Sequence, residues 1–193
     1  MARIKGVAIR EFLTYLRGAI GPDALRAMVE GIAPEHRAAF DPDHPALGVL
    51  AASWYEAAPI HALLDAITAS RSDAELEQLV HDGMQATMSA TLRGVHRALL
   101  RVIGSPALHA RFAQRLWIAY YDEGRVESEQ TGPTRQVISY LDWEGHHPLL
   151  CRLTAAADLV IFPAMGLTGV EVKPLGCISR GSARCSHEVV WLP

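Results

Sequence analysis

Three cysteines and a few histidines are the side chains of this 193-residue chain whose chemistry reaches beyond packing. Cys151, Cys177 and Cys185 all fall in the last quarter, and the first 150 residues hold no cysteine. Cys177 and Cys185 flank a tight-turn sequence, Arg180-Gly181-Ser182, so they face each other if the flanking residues pair as strands. Cys151 lies one turn into a segment that Pro148 opens as a helix. A helix packed on that hairpin brings three thiols together, and thiolates at tetrahedral spacing are what zinc prefers. A closed site needs a fourth ligand. His147, one turn before Cys151, is the first choice, although Pro148 puts it at the helix cap; His187, on the same strand face as Cys185, competes with it. The plain alternative is three small core residues, because free cysteine is among the most buried residue types. An odd cysteine count in a chain without a secretory start does not suggest a disulfide framework.

The familiar enzyme motifs fail. The chain has no Gly-x-Ser-x-Gly, no phosphate-cradling glycine loop ending in Lys-Ser/Thr and no His-Glu-x-x-His. His61 and Asp65 stand one helical turn apart, but no nucleophile is placed beside them, so a solvated or half-buried pair is the expectation. His96 is the histidine weighed as an axial ligand, and haem is not expected. Trp117, Tyr120, Tyr121 and Trp143 are candidate ligand-binding residues for an apolar pocket, with ordinary core packing as the alternative.

These side chains need elements to hold them. Val7, Ile9, Phe12, Leu13, Leu16 and Ile20 form an amphipathic helix that ends at Gly21, and Pro22 opens a second through Leu25, Met28, Val29 and Ile32. A link from Ala33 to Pro45 leads past Leu47, Leu50, Trp54 and Tyr55 to a helix opened by Pro59. Ser72-Asp73-Ala74-Glu75 fits a capping box, and helical spacing then continues to Gly104, with a break near Gly83 or Gly94 as the alternative to one long helix. Ser105-Pro106 opens the next helix. Near Gly124 the apolar period falls from 3.6 to two. Arg125–Gln130 and Arg135–Trp143 read as one hairpin, with Val137, Ser139, Leu141 and Trp143 on one face. A helix from Pro148 to about Phe162 follows. Val170–Ile178 and Ala183–Leu192 read as a second hairpin, with Cys185, His187, Val189 and Trp191 on one face. The predicted fold is a single α+β domain over 1–193, in which N-terminal helices and a long central helix pack on a C-terminal four-stranded antiparallel sheet interrupted by one helix.

Composition narrows the function classes. Half the residues are apolar and a fifth charged, which suits a globular domain. Eighteen Lys and Arg against 21 Asp and Glu give a net charge of −3. Arg97–Arg101 and Arg111–Arg115 are pairs at helical spacing and make no basic stripe, so direct nucleic-acid binding is not expected. No apolar run approaches the roughly 20 residues of a membrane span, and cytoplasmic placement is the expectation.

Cys151, the stretch Glu171-Val172-Lys173-Pro174-Leu175-Gly176-Cys177, Gly181, and Cys185 with its alternating strand resemble the C-terminal half of the 4-vinyl-reductase domain family. That family is related in fold to haem-dependent nitric-oxide-binding domains and to Bet3-like subunits of the TRAPP tethering complex. Gly6, Ser53-Trp54-Tyr55 and the stretch from Leu116-Trp117 to Gly124 are similar to an uncharacterised bacterial paralogous family. The resemblance implies a non-catalytic domain that senses a small hydrophobic or aromatic molecule and signals by protein–protein contact. A Bet3-like scaffold that dimerises through its helices, without a ligand, is the alternative. Sensory members bind zinc through three cysteines and a glutamate. The cysteines carry over to Cys151, Cys177 and Cys185, but the glutamate position holds Pro174, and Glu171 is three residues out of register. Zinc is thus the candidate cofactor, with His147, His187, Glu171 or a water completing the set. A homodimer and a protein partner are the expected associations.

Overall fold

A computed structural model describes residues 1–92 and 104–193 of the chain. Its first element is a strand that the apolar pattern does not predict. β1 (Arg3–Lys5) pairs antiparallel with β2 (Trp54–Glu56) in a small separate sheet. Three-residue strands are too short to display a period, and Trp54 and Tyr55 read equally well as helix residues. Between them, α1 (Arg10–Ile20) and α2 (Pro22–Gly31) meet at the predicted Gly21-Pro22 boundary, with Gly21 at φ 86°; α1 starts later than its apolar spacing suggests, leaving Val7 in a 3-10 turn and Ile9 at the N-cap. The Pro-rich link contains one short helix, α3 (Pro34–Arg37). α4 (Ala57–Ala69) starts two residues before Pro59, which therefore lies in its first turn, where proline is tolerated.

α5 (Asp73–Thr91) carries the predicted capping box: Ser72 accepts from the Glu75 N–H, and the Glu75 carboxylate accepts from the Ser72 N–H at 2.8 Å. The helix ends at Thr91, where Leu92 leaves helical geometry at φ −93°, ψ 55°, in keeping with a break near Gly94 and not with one uninterrupted helix. The rest of the expected long helix, with Gly94, His96, Arg97 and Arg101, lies outside the described residues. α6 (Pro106–Trp117) is capped by Ser105, whose hydroxyl accepts from the Leu108 N–H at 3.1 Å.

The change of period marks the sheet. β3 (Arg125–Gly132) and β4 (Arg135–Leu141) form the first hairpin, α7 (Pro148–Ala164) follows, and β5 (Glu171–Gly176) and β6 (Cys185–Val190) form the second. The sheet is antiparallel in the order β3-β4-β6-β5, so β4 and β6 join the hairpins, with Gln136 opposite Val189, Ile138 opposite His187 and Tyr140 opposite Cys185. This is the predicted α+β architecture. α7 lies against β5 and β6, α5 packs on α7, α6 packs on β3, and α1 packs on the far side of α5. On β6 the predicted face, Cys185, His187 and Val189, is buried. On β4 the face that meets the helices is Gln136, Ile138 and Tyr140, opposite to the face of Val137 and Leu141.

Candidate functional site

The three thiols meet. Cys177, just past β5, and Cys185, opening β6, place their Sγ atoms 3.6 Å apart, and Cys151 approaches from the second turn of α7. Gly181, left-handed at φ 84°, closes the turn between the two strands. The histidine that joins them is His146. Its Nε2 lies 3.6 Å from Cys177 Sγ, and the four donor atoms of His146, Cys151, Cys177 and Cys185 all lie within 4.8 Å of one another. By donor type and spacing this set could hold a thiophilic metal ion. Hydrogen bonds from Cys151 and His146, and from the Ile178 N–H, favour the thiolate of Cys185 and bring it down to about 4. The same contact with Cys185, together with burial, pushes the Cys151 thiol far up.

His147, the first choice for the fourth ligand, is displaced from that role by its own helix. As N-cap of α7 it uses Nδ1 to accept from the Leu149 N–H at 3.1 Å, while Nε2 meets Asp65 Oδ1 at 3.1 Å. Both ring nitrogens are engaged. Asp65 therefore serves His147 and not His61, whose Nε2 bonds the Gly145 carbonyl oxygen at 2.9 Å. The other two candidates are engaged elsewhere. His187 turns to Asp158 at 2.7 Å, and Glu171 lies 3.1 Å from Lys173 Nζ.

A second feature lies on the helix side of the sheet. A cavity of about 440 Å³, open on one side, is bounded by α5 (Met84, Thr87, Met88), α6, the inner face of β3 and β4, and α7, and its wall is mostly apolar. That volume lies in the range of small-molecule and cofactor sites. Trp117, Tyr120 and Tyr121 line it. Trp143 stands behind them, its ring edge-on to Trp117 at 4.8 Å and to Tyr121 at 5.3 Å. Trp117 and Tyr121 stack on each other at 4.0 Å. Burial drives the Tyr121 and Tyr140 hydroxyls well above their ordinary range, so both face the cavity as neutral donors.

The polar groups of the wall are few. His109, in the first turn of α6, is the only histidine among the described lining residues. Burial lowers its pKa and holds the imidazole neutral, with His187 adding to the effect and Asp158 opposing it. Its Nδ1 lies 3.1 Å from Gln136 Nε2 and its ring meets Phe162 edge-on at 5.3 Å. Asp158 also lines the cavity and accepts from His187 in a pair that is almost fully buried. Thr87 Oγ1, on the α5 wall, and Gln136 Oε1 are buried without a hydrogen-bond partner. No Lys or Arg is among the described residues of the wall. Sequence reasoning missed His109. The signal available was a histidine one turn after the Ser105-Pro106 cap, on the side of α6 that carries Phe112 and Ala113. His96, the histidine weighed instead, lies outside the described residues.

Compared by sequence, the chain matches no protein-family model and no curated protein. Compared by structure, it is similar along its whole length to H-NOX proteins. The Fe(II) unliganded H-NOX protein from K. algicida superposes with a TM-score of 0.69 at 11% identity, over 98% of this chain and 97% of that one. An H-NOX protein from S. oneidensis in the Fe(II)NO ligation state gives 0.66 at 12% identity, over 98% and 100%. A structure from work on haem distortion in the H-NOX family gives 0.65 at 8% identity, over 98% and 96%. The likeness establishes a shared fold. It also corrects the cofactor expectation: the structures that share this fold are haem proteins, so the ordering that set zinc forward and haem aside does not stand.

Proposed function

We propose that this chain is a single ligand-sensing domain, a binding module and not a catalyst, whose cavity between α5, α6, α7 and the sheet takes a flat hydrophobic cofactor. Haem is the first candidate. The observation that carries this reading is His109: a half-buried imidazole, held neutral by desolvation, on the wall of an apolar cavity large enough for a cofactor. Neutral imidazole is the form that binds iron, and haem so held would supply a site for a diatomic gas. The chain's own residues do the rest. Trp117, Tyr120, Tyr121, Met84 and Met88 offer apolar surface to a planar ring, and Phe162 packs edge-on against the His109 ring and limits its rotation. The haem-containing structures that share the fold support the same choice. The test is titration of the purified protein with hemin. One equivalent producing a sharp Soret band in the wild type, and at least tenfold weaker binding in His109→Ala, is expected. Equal binding by both proteins removes His109 as the residue that would hold the iron.

A second reading has its own observation. Two propionates want cations, and the described wall has none, whereas an uncharged aromatic molecule would need only the apolar surface and a donor or acceptor such as Tyr140 or Asp158. This is the ligand class of the 4-vinyl-reductase-like sensors that the cysteine pattern resembles. A thermal-shift screen with small aromatics decides, because a ligand at a hundred times its Kd stabilises the fold by about 2.7 kcal/mol. Signalling through a protein partner or a second copy belongs to the same proposal. Leu116 and Ile118, exposed at the end of α6 beside Trp117, are the residues through which occupancy could be felt outside. Light scattering at tens of micromolar, with and without ligand, tests the pairing.

A further inference from the structure

Gln136 has its side chain fully buried on the cavity face of β4, and its amide is only half satisfied. The side chain reaches diagonally across the hairpin to Ser128, with Nε2 2.7 Å from Ser128 Oγ, and the same nitrogen lies 3.1 Å from His109 Nδ1. Oε1 is buried with no partner. A buried amide left in this state is destabilising, and a purely structural position would shed that cost by becoming apolar.

We infer that Gln136 is the positioning residue that sets which ring nitrogen of His109 is free to act in the cavity. The inference rests on the assignment of His109 as the cavity's functional imidazole. An amide presents a donor on one side and an acceptor on the other, in nearly the same shape. With the NH₂ group toward the ring, as here, Nδ1 accepts and the imidazole proton sits on Nε2, where it can donate to a ligand oxygen. With the amide turned over, its oxygen accepts both from the Ser128 hydroxyl and from Nδ1–H. Nε2 then carries a free lone pair, which is what an electron-pair acceptor such as ferrous iron needs. In either state one end of the amide lacks a partner, so neither state has a large advantage over the other. A small differential interaction with the ligand is then enough to select between them. Ser128 can follow both states, because a hydroxyl donates or accepts as required.

The measurement is the ¹⁵N spectrum of the His109 ring in cofactor-free protein, read through long-range couplings to the ring protons. Wild type is expected as the Nε2–H tautomer. Gln136→Glu, read at a pH where its carboxylate is ionised and can only accept, is expected to move the proton to Nδ1. Gln136→Met is uncharged and close in shape, which keeps the test open should the buried carboxylate prevent folding. It should leave Nε2–H in place but shift Nδ1 downfield, as an acceptor nitrogen does on losing its donor. Hemin added to wild type should convert His109 to the Nδ1–H tautomer, followed in the diamagnetic ferrous carbonyl state. A ring spectrum identical in wild type and Gln136→Met, or the Nε2–H tautomer retained in a folded Gln136→Glu protein, overturns the inference. Absence of hemin binding with the tautomer changes intact leaves Gln136 in its role and removes the haem reading alone.

Discussion

Gly83 of α5 lies directly against Phe12 and Tyr15 of α1, and replacing it with alanine sets two opposed energies against each other. Alanine is the better helix former by about 1 kcal/mol, so helix propensity alone predicts a more stable protein. The structure predicts the reverse. A Cβ built at Gly83 would stand 2.7 Å from both Cδ2 and Cε2 of Phe12 and 3.2 Å from Cδ1 of Tyr15. Carbon atoms pack at about 3.5 Å or more, so the Phe12 ring is about 0.8 Å too close on two atoms at once. Phe12 is 1% exposed and sits in the core, which leaves its ring nowhere to swing, and the two helices must part instead. Overpacking of this kind costs about 1–3 kcal/mol. Set against the propensity gain, the net expectation for Gly83→Ala is a loss of about 1 kcal/mol. With a urea m-value of about 2 kcal/mol/M, that lowers the unfolding midpoint by about 0.5 M. Gly18→Ala is the control: it lies exposed on α1 with nothing within 4 Å of its Cβ position, and it should gain most of the propensity term. Urea unfolding followed by far-ultraviolet circular dichroism compares the two. If Gly83→Ala is as stabilising as Gly18→Ala, the close packing of α1 on α5 is refuted, and with it the support for the α5 wall of the cavity.

Ser72→Ala removes the N-cap of α5 and should cost about 1 kcal/mol, while Glu75→Gln, which keeps the reciprocal bond, should cost less; thermal unfolding of both checks it. Phe162→Ala empties a fully buried site between His109 and Trp191 and should cost about 3–5 kcal/mol, and a loss under 1 kcal/mol in urea titration would contradict the packing. Burial lowers the His61 pKa from its ordinary 6.5, so the unfolded chain binds the proton more readily than the fold does. Stability supported by neutral His61 is therefore present above pH 6.5 and lost as pH falls below it, and His61→Gln should flatten the dependence of the urea midpoint between pH 7.5 and 5.5.

Sequence alone was enough to place α1, α2, α5, α6, α7 and both hairpins, because each carries its own periodicity and end signals: Gly21-Pro22, Ser72 with Glu75, Ser105-Pro106, Gly181. The alternation of Cys185, His187, Val189 and Trp191 also fixed the buried face of β6. Short segments without a period were illegible. β1 and β2 exist because each is the other's partner, a long-range fact that three residues cannot encode. The same limit applied at the site. Spacing brought three thiols together but could not choose between adjacent histidines, since His146 and His147 differ by one residue and point in different directions. What decided was the N-cap of α7, which claims the His147 ring for the Leu149 N–H and leaves His146 beside Cys177. His109 gave still less warning. A lone histidine on an amphipathic helix becomes a cavity group only when α5, α7 and the sheet close around it, and only pairing of the β strands brings Gln136 to its Nδ1. Local periodicity is written in each segment's own residues, whereas the neutral state of an imidazole and the choice of its free nitrogen depend on neighbours supplied from other parts of the chain.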